Sequence, residues 1–182
     1  MMKELNAQEA MKMITTRPVM IITTLHDTGI VNAGVFGSYT NLSSDHLGAA
    51  VHRGSHTYRN ILRSHEFAVN VPGRDIVESI KVLASDIPED KSELEEAGLT
   101  PEKPSQISVP HIKECVASIE CIFEQEVKIG GHSFLIAKSV GGFANKEYIT
   151  PQGKLDVLKA EVFHCHRYPE DFYMVFGEEI PG

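Results

Sequence analysis

The fold is decided by residues 32–71, which read NAGVFGSYTNLSSDHLGAAVHRGSHTYRNILRSHEFAVNV. A small-residue segment and a Ser/Thr/Asn cluster precede a short apolar strand predicted at 47–52, and an Arg-Gly-Ser-His-Thr turn follows it. This turn opens a helix predicted at 57–64, whose first N–H groups lack partners and therefore suit a phosphate. Because small residues also let a flat ring approach the backbone, the stretch predicts a site for a phosphorylated aromatic cofactor.

Strand and helix signals continue on both sides of this stretch. Asn6 and Glu9 have the spacing of a capping box, which predicts a short helix before Pro18. The β-branched residues at 19–25 predict a strand, and the turn composition at 26–29 predicts that it forms a hairpin with the next one. Downstream of the strand predicted at 67–71, Asp75 is predicted to cap a helix that ends near Ser85.

The second half of the chain predicts long strands joined by hairpins. A strand at 116–129 turns at two glycines into another at 132–140, and shorter strands are predicted at 162–166 and 172–176. In the first of these, alternation places Ile119, Cys121 and Phe123 on one face and Glu120, Glu124 and Glu126 on the other. Hairpin-linked strands with inserted rather than alternating helices predict a mainly β fold, an antiparallel barrel and not a Rossmann sheet.

Residues 86–111 differ in composition from the rest, with many acidic residues and prolines and few aromatics. We expect this segment to run over the surface, since the strands that follow it still need the earlier ones as partners. Glu93–Ala97 is predicted to form a helical turn that stops at Gly98. A loop without a role, a cover over the ligand site and a contact between subunits are the alternatives for this segment.

Size and charge restrict the class of protein. A chain of 182 residues with 42% hydrophobic residues fits one domain, 1–182, with a real core. A formal charge of −8 argues against nucleic-acid or anionic-membrane partners, so an anion site must be local. Three cysteines outside any C-x-x-C motif and the lack of a signal peptide or a bilayer-length apolar run predict a cytoplasmic protein.

The basic turn offers the local anion site. The phosphate is assigned to Arg53, Ser55, His56 and Thr57, with Asn60 one helical turn further on. The alternative is a plain helix cap beside a surface arginine. For the polar residues at 38–44, the alternatives are contact with the cofactor and a loop that satisfies its own backbone.

Other motifs carry less chemistry. His164 and His166 share one face of a predicted strand while Cys165 points away, and two histidines do not make a four-ligand zinc site, so no metal is predicted. Neither a Gly-x-Gly-x-x-Gly motif nor a Gly-x-Ser-x-Gly elbow is present. No catalytic side chain is predicted, because a bound cofactor would carry the chemistry.

The order and spacing of these motifs resemble a known family. VMIITT at 19–24, Asn32-Ala33, SYTNLSSD, AAVHRGSHTYRNI, FAVNV, Gly130-Gly131-His132 and DFYMVFGE at 171–178 resemble the flavin reductase-like, flavoredoxin-type FMN-binding split β-barrels. The resemblance covers most of the chain from Arg17 to Glu178. It implies one FMN per subunit and a homodimer. It also implies that the cofactor contacts include Asn32, Ser38, Thr40, Asn41 and His132.

The chain departs from the family pattern in two places. Asp45-His46-Leu47 stands where the family often has Asp-Pro-Pro, and Gly131 replaces an aspartate before His132. The implied function is an oxidoreductase that passes electrons from NAD(P)H through FMN to free flavin, ferric iron or a protein acceptor. The alternatives are a flavin-binding electron carrier without NAD(P)H activity and a split barrel of the pyridoxamine-phosphate-oxidase type.

Overall fold

A computed structural model describes residues 2–14, 16–166 and 173–177. Its helices are α1 (Ala7–Met11), α2 (His56–Ser64), α3 (Val77–Leu83) and α4 (Glu93–Glu96). Its strands are β1 (Arg17–Pro18), β2 (Met20–Leu25), β3 (Val31–Phe36), β4 (Tyr39–Asn41), β5 (His46–His52), β6 (Glu66–Val71), β7 (Pro101–Glu102), β8 (His111–Ile112), β9 (Ala117–Ile129), β10 (His132–Ala144), β11 (Phe163–Cys165) and β12 (Tyr173–Val175). The predicted start of the last strand, Phe172, lies outside the described residues.

One antiparallel sheet organises the molecule. Its strand order is β3-β2-β6-β9-β10-β5-β4, so β3 and β4 form its two edges. These edge strands are joined in the chain by Gly37 and Ser38 alone, and the N–H of Ala50 in β5 donates to the Ser38 carbonyl at 2.8 Å. A link of two residues between opposite edges requires the sheet to curl round on itself. The predicted mainly β, antiparallel split barrel with inserted helices is confirmed.

Both faces of the curled sheet are buried. Met20 and Ile22 of β2 point inward and pack with Ile61 of α2 and with Phe67 of β6. The intervening Ile21 points outward into a second cluster, which α3, α4 and β11 cover. Alternate residues of one strand therefore enter two cores, which explains why Met20, Ile21 and Ile22 are apolar without a polar residue between them.

Two local predictions are wrong. Asp75 does not cap a helix: it lies inside a short 3-10 turn, Arg74–Ile76, and α3 begins at Val77 without a side-chain cap. Glu126 does not share the outer face with Glu120, because a register shift opposite Ile136 and Ala137 leaves Glu124 without a partner in β10. Beyond this bulge the strand's faces exchange, and the Glu126 carboxylate accepts a hydrogen bond from the Tyr58 hydroxyl at 3.0 Å.

The segment 86–111 lies against the outer side of the sheet. Leu94 of α4 is fully buried against β3, and Gly98 ends the helix at a φ of +69°. The loop that follows places the N–H groups of Ser105 and Gln106 at 2.7 and 2.8 Å from the Glu120 carboxylate, which is fully buried. These contacts hold the segment against β3 and β9.

The short α1 has the predicted capping box between Asn6 and Glu9 but buries none of its residues. Among the described residues, no helix has both the length and the apolar composition needed to cross a membrane.

Candidate functional site

Two adjoining cavities lie along β3, between the barrel, the start of α2 and the end of α3. The first has a volume of about 370 Å³ and the second about 500 Å³. Both are lined by Val35, Phe36 and Ala84, so together they form one groove. The first is also lined by Asn32, Ala33, Gly34, Gly54, Ser55, His56, Thr57, Leu83, Ser85, Asp86, Ile87 and Glu93. The second is also lined by Arg17, Val19, Gly37, Ala50, His52, His132, Cys165 and Tyr173.

The start of α2 forms the polar end of the first cavity. Ser55 caps the helix: its hydroxyl accepts from the Tyr58 N–H at 3.2 Å and donates to the His52 carbonyl at 2.8 Å. This hydroxyl is therefore already used. The first helical N–H groups, those of His56 and Thr57, have no carbonyl partner within the helix by its geometry. They lie at the wall of the cavity, where an anion gains both hydrogen bonds and the helix dipole.

A buried polar network supports this wall from behind. The Asn32 side-chain amide lies 3.1 Å from the hydroxyls of both Thr24 and Thr57. The Asn60 amide donates to the same Thr24 hydroxyl at 3.1 Å. When the Asn32 amide is oriented with its nitrogen toward Glu93, its oxygen accepts from both threonines and its nitrogen lies 3.3 Å from the Glu93 carboxylate. Asn60 therefore positions the wall rather than lining the cavity.

Glu93 is an acidic group at the same wall. It belongs to α4, is only 6% exposed, and accepts a hydrogen bond from the Ala33 N–H at 2.8 Å. Burial raises the pKa of its carboxyl to about 7, although the hydrogen bond from Ala33 acts in the opposite direction. Near neutral pH this wall therefore carries a titratable group. No local pattern distinguishes Glu93 in the sequence, since the neighbouring Glu95 and Glu96 are exposed helix-surface residues.

Arg53, the cation predicted to bind the phosphate, makes its hydrogen bonds outside the first cavity. The Arg53 guanidinium donates to the Gly130 carbonyl at 2.5 Å, and its backbone N–H donates to the Gly131 carbonyl at 3.0 Å. Arg53 thus fastens the helix entry to the β9–β10 turn and is not among the residues that line the first cavity. Arg59, one turn into α2, donates to the Gly54 carbonyl at 3.0 Å and pairs with Glu89.

The second cavity has a floor of small residues and a rim of rings. Gly37 and Ala50 leave the backbone accessible, and His52 and His132 pair across β5 and β10 with ring centroids 5.2 Å apart. Tyr173, in the C-terminal segment that resembles the family, also lines it and packs edge-on against Phe163 at 5.4 Å. This cavity suits a flat aromatic group.

The remaining predicted site residues are not all at the groove. Ser38 lies at the edge of the groove, where its carbonyl accepts a hydrogen bond from the Ala50 N–H of β5. Thr40 and Asn41 follow on β4, opposite Gly48 and Leu47, and so lead away from α2 toward the start of β5. Asn41 lines a different cavity, of about 680 Å³, at that end of the barrel. The fold brings Asn32, Ser55, His56, Thr57 and His132 together, and Thr40 and Asn41 are separated from them.

A curled antiparallel sheet with a groove that is polar at a helix start and flat at its other end is the arrangement of a split-barrel protein of the flavin-reductase type. The chain belongs to the family described as "Flavin reductase like domain", whose model matches residues 11–156.

Solved structures agree with this fold over almost the whole chain. Nitrilotriacetate monooxygenase component B from Bacillus cereus has a TM-score of 0.90 at 23% identity, covering 100% of this chain and 98% of its own. Flavoredoxin of Desulfovibrio vulgaris has a TM-score of 0.87 at 18% identity, covering 100% and 97%. An FMN-binding protein from Thermus thermophilus has a TM-score of 0.82 at 15% identity, covering 100% and 99%.

Proposed function

We propose that this protein is an FMN-binding oxidoreductase that holds the cofactor in the groove along β3. Bound FMN would supply the redox chemistry, taking electrons from NAD(P)H and delivering them to free flavin, ferric iron or a protein acceptor. The observation that carries the proposal is the continuity of the two cavities, with helix N–H groups at one end and a small-residue floor at the other. Family membership and the FMN-binding relative support the choice of ligand.

In this proposal the chain's own groups bind and orient. The N–H groups of His56 and Thr57 hold the phosphate, and the Asn32 network keeps the Thr57 hydroxyl in place. Gly34 keeps the middle of the groove open, because a Cβ there would stand 3.0 Å from both the Thr57 hydroxyl and the Phe36 ring. Gly37 and Ala50 admit the ring, and the imidazoles of His52 and His132 border it.

The visible spectrum of the purified protein and anaerobic mixing with NADH or NADPH test the function. We expect flavin absorbance at about one FMN per chain, which bleaches rapidly on mixing. A preparation that binds no FMN at micromolar concentration would overturn the proposal. Bound flavin that neither NADH nor NADPH bleaches would establish the alternative, an electron carrier. The family match favours the NAD(P)H-dependent oxidoreductase and the electron carrier over a pyridoxamine-phosphate-oxidase-type protein.

The phosphate assignment predicts a clear order among variants. Thr57→Ala together with Arg53→Ala is expected to weaken FMN binding tenfold or more, about 1.4 kcal/mol or more, in an FMN titration. Arg53 is tied to Gly130, whereas the Thr57 hydroxyl belongs to the buried network that holds the phosphate-binding wall in place, so most of this loss is expected from Thr57→Ala alone. Thr57→Ser keeps the hydroxyl and is expected to restore affinity. Equal affinity in the wild type and the double variant would place the phosphate elsewhere.

We also propose a homodimer whose interface lies next to the second cavity. Tyr173 lines that cavity, and the residues after it, Met174, Val175 and Phe176, are 54%, 40% and 45% exposed. They form or follow β12, which is an edge strand of its sheet in the described part of the chain. An apolar edge of this kind is usually covered, and a second subunit would close the cavity. Light scattering is expected to give twice the chain mass of 20.1 kDa, and a monomeric mass with FMN bound would contradict the proposal.

A further inference from the structure

Two histidines and a carboxylate from distant parts of the chain meet beside the start of α2. His26 lies in the turn between β2 and β3, His56 begins α2, and Glu89 belongs to the segment 86–111. Each offers a ligand atom, and these atoms all lie within 4.8 Å of one another. Sequence spacing gives no sign of this cluster, since its members are 30 and 33 residues apart in the chain.

The arrangement already approaches the geometry of a metal site. Zinc bonds to nitrogen and oxygen are about 2.0–2.2 Å long, so two ligand atoms of a tetrahedral site stand about 3.4 Å apart. The distance from His56 Nε2 to the nearer Glu89 oxygen is 3.5 Å. The distances from these two atoms to the His26 ligand atom are at most 4.8 Å, so each must shorten by at most about 1.4 Å. Side-chain rotation of the exposed Glu89 and the half-buried His56 can supply this movement.

The surroundings of His26 also bear on metal binding. It is only 4% exposed, and its Nε2 is buried without a hydrogen-bond partner among the described residues. Its other ring nitrogen, Nδ1, lies 3.4 Å from the side-chain nitrogen of Asn60, which can only donate, so Nδ1 accepts there and the buried Nε2 carries the ring proton. A buried N–H left unpaired costs about 1–3 kcal/mol. A metal ion bound between His26 and His56 would remove that cost if the ring proton moved to Nδ1 and the Asn60 amide turned so that its oxygen accepted from it. In metal sites the second nitrogen of a ligating imidazole usually donates to an oxygen acceptor, which the turned Asn60 amide would provide.

We propose that His26, His56 and Glu89 form a binding site for a divalent transition-metal ion such as Zn²⁺. Two imidazoles and one carboxylate select such ions over Mg²⁺ and Ca²⁺, which prefer oxygen ligands. Arg59 pairs with the same Glu89 oxygen that lies 3.5 Å from His56, so a bound ion would share this oxygen, which has a second lone pair, or take the other oxygen after rotation of the carboxylate. A bound ion would tie the segment 86–111 to α2 and to the β2–β3 turn, beside the first cavity.

Zn²⁺ titration by calorimetry, on protein as purified with its FMN content measured in parallel, tests this proposal. We expect one Zn²⁺ per chain, and at least tenfold weaker binding in Glu89→Gln and in His26→Asn. Zn²⁺ is also expected to raise the melting temperature of the wild type and not that of Glu89→Gln, because binding to the folded state alone stabilises it. Because Glu89 is exposed, Glu89→Gln is expected to fold even if substitution of the buried His26 impairs folding.

Matched controls are His65→Asn and Glu95→Gln, an exposed histidine and an exposed glutamate outside the cluster. Asparagine is chosen because residue 65 has a φ of +61°, which asparagine tolerates. Both controls are expected to bind Zn²⁺ as the wild type does. Absence of stoichiometric Zn²⁺ binding would overturn the proposal, and so would equal affinity in the wild type and Glu89→Gln. Because the metal alone is the probe, neither result depends on the proposed FMN chemistry.

Discussion

Ala84→Trp is expected to lower the affinity for FMN by roughly 100-fold or more, which corresponds to about 2.7 kcal/mol or more. Ala84 lies at the junction of the two cavities and lines both of them. A ligand that spans the groove must pass this residue, so an indole there would leave space for only one half of the ligand. FMN titration followed by flavin fluorescence or calorimetry measures the effect directly.

The substitution is not expected to unfold the protein. Ala84 is exposed at the end of α3 and has ordinary helical backbone angles, φ −87° and ψ −4°, so its side chain packs into neither core. Lys81→Trp is the matched control, because residue 81 is exposed one turn earlier on the same helix and lines neither cavity. Wild-type affinity in Ala84→Trp would show that FMN does not run through the junction. A comparable loss in Lys81→Trp would point to disruption of α3 itself.

The parts of this structure that sequence predicts well depend on near neighbours. The capping box at Asn6 needs only Glu9, and the hairpin at 26–29 needs a turn with Gly29 at a φ of +83°. The start of α2 needs only the cap at Ser55, whose hydroxyl accepts from the Tyr58 N–H. The antiparallel split barrel could also be predicted, since strands joined by hairpins without alternating helices leave few other arrangements.

Sequence could not predict contacts made across the fold. Nothing in the stretch around Arg53 indicates that its guanidinium meets the Gly130 carbonyl, 77 positions away. Similarly, the burial of Glu93 follows from packing of α4 on β3 and not from any local pattern. The bulge at Glu124 is the subtlest case, because one extra residue turns Glu126 from the outer to the inner face.

The second large effect expected is on the pH dependence of stability, and it comes from Glu93. Burial raises the pKa of this carboxyl to about 7 in the folded protein, whereas the ordinary value is 4.5. Between pH 4.5 and 7 the folded state therefore holds a proton that the unfolded state has released, so the free energy of unfolding falls as pH rises through this range. Glu93→Gln removes the charge and keeps an oxygen that can accept from the Ala33 N–H. Its stability relative to the wild type is expected to rise by about 2 kcal/mol between pH 4.5 and 8, allowing for some screening in the adjoining cavity.

Urea unfolding of FMN-free protein at several pH values measures this difference, and the exposed Glu95 on the same helix provides the control substitution, Glu95→Gln. At pH 4.5 the Glu93 carboxyl is protonated and neutral in the folded state, so Glu93→Gln and the wild type are expected to differ least there. At pH 8 the buried carboxylate is ionised in the folded state while its ionisation in the unfolded chain costs no burial, so the gap is largest. Parallel stability curves for Glu93→Gln and the wild type across this range would mean that the Glu93 carboxyl is solvated in the folded protein. A pH-dependent gap in Glu95→Gln of equal size would attribute the effect to the net charge of α4 instead.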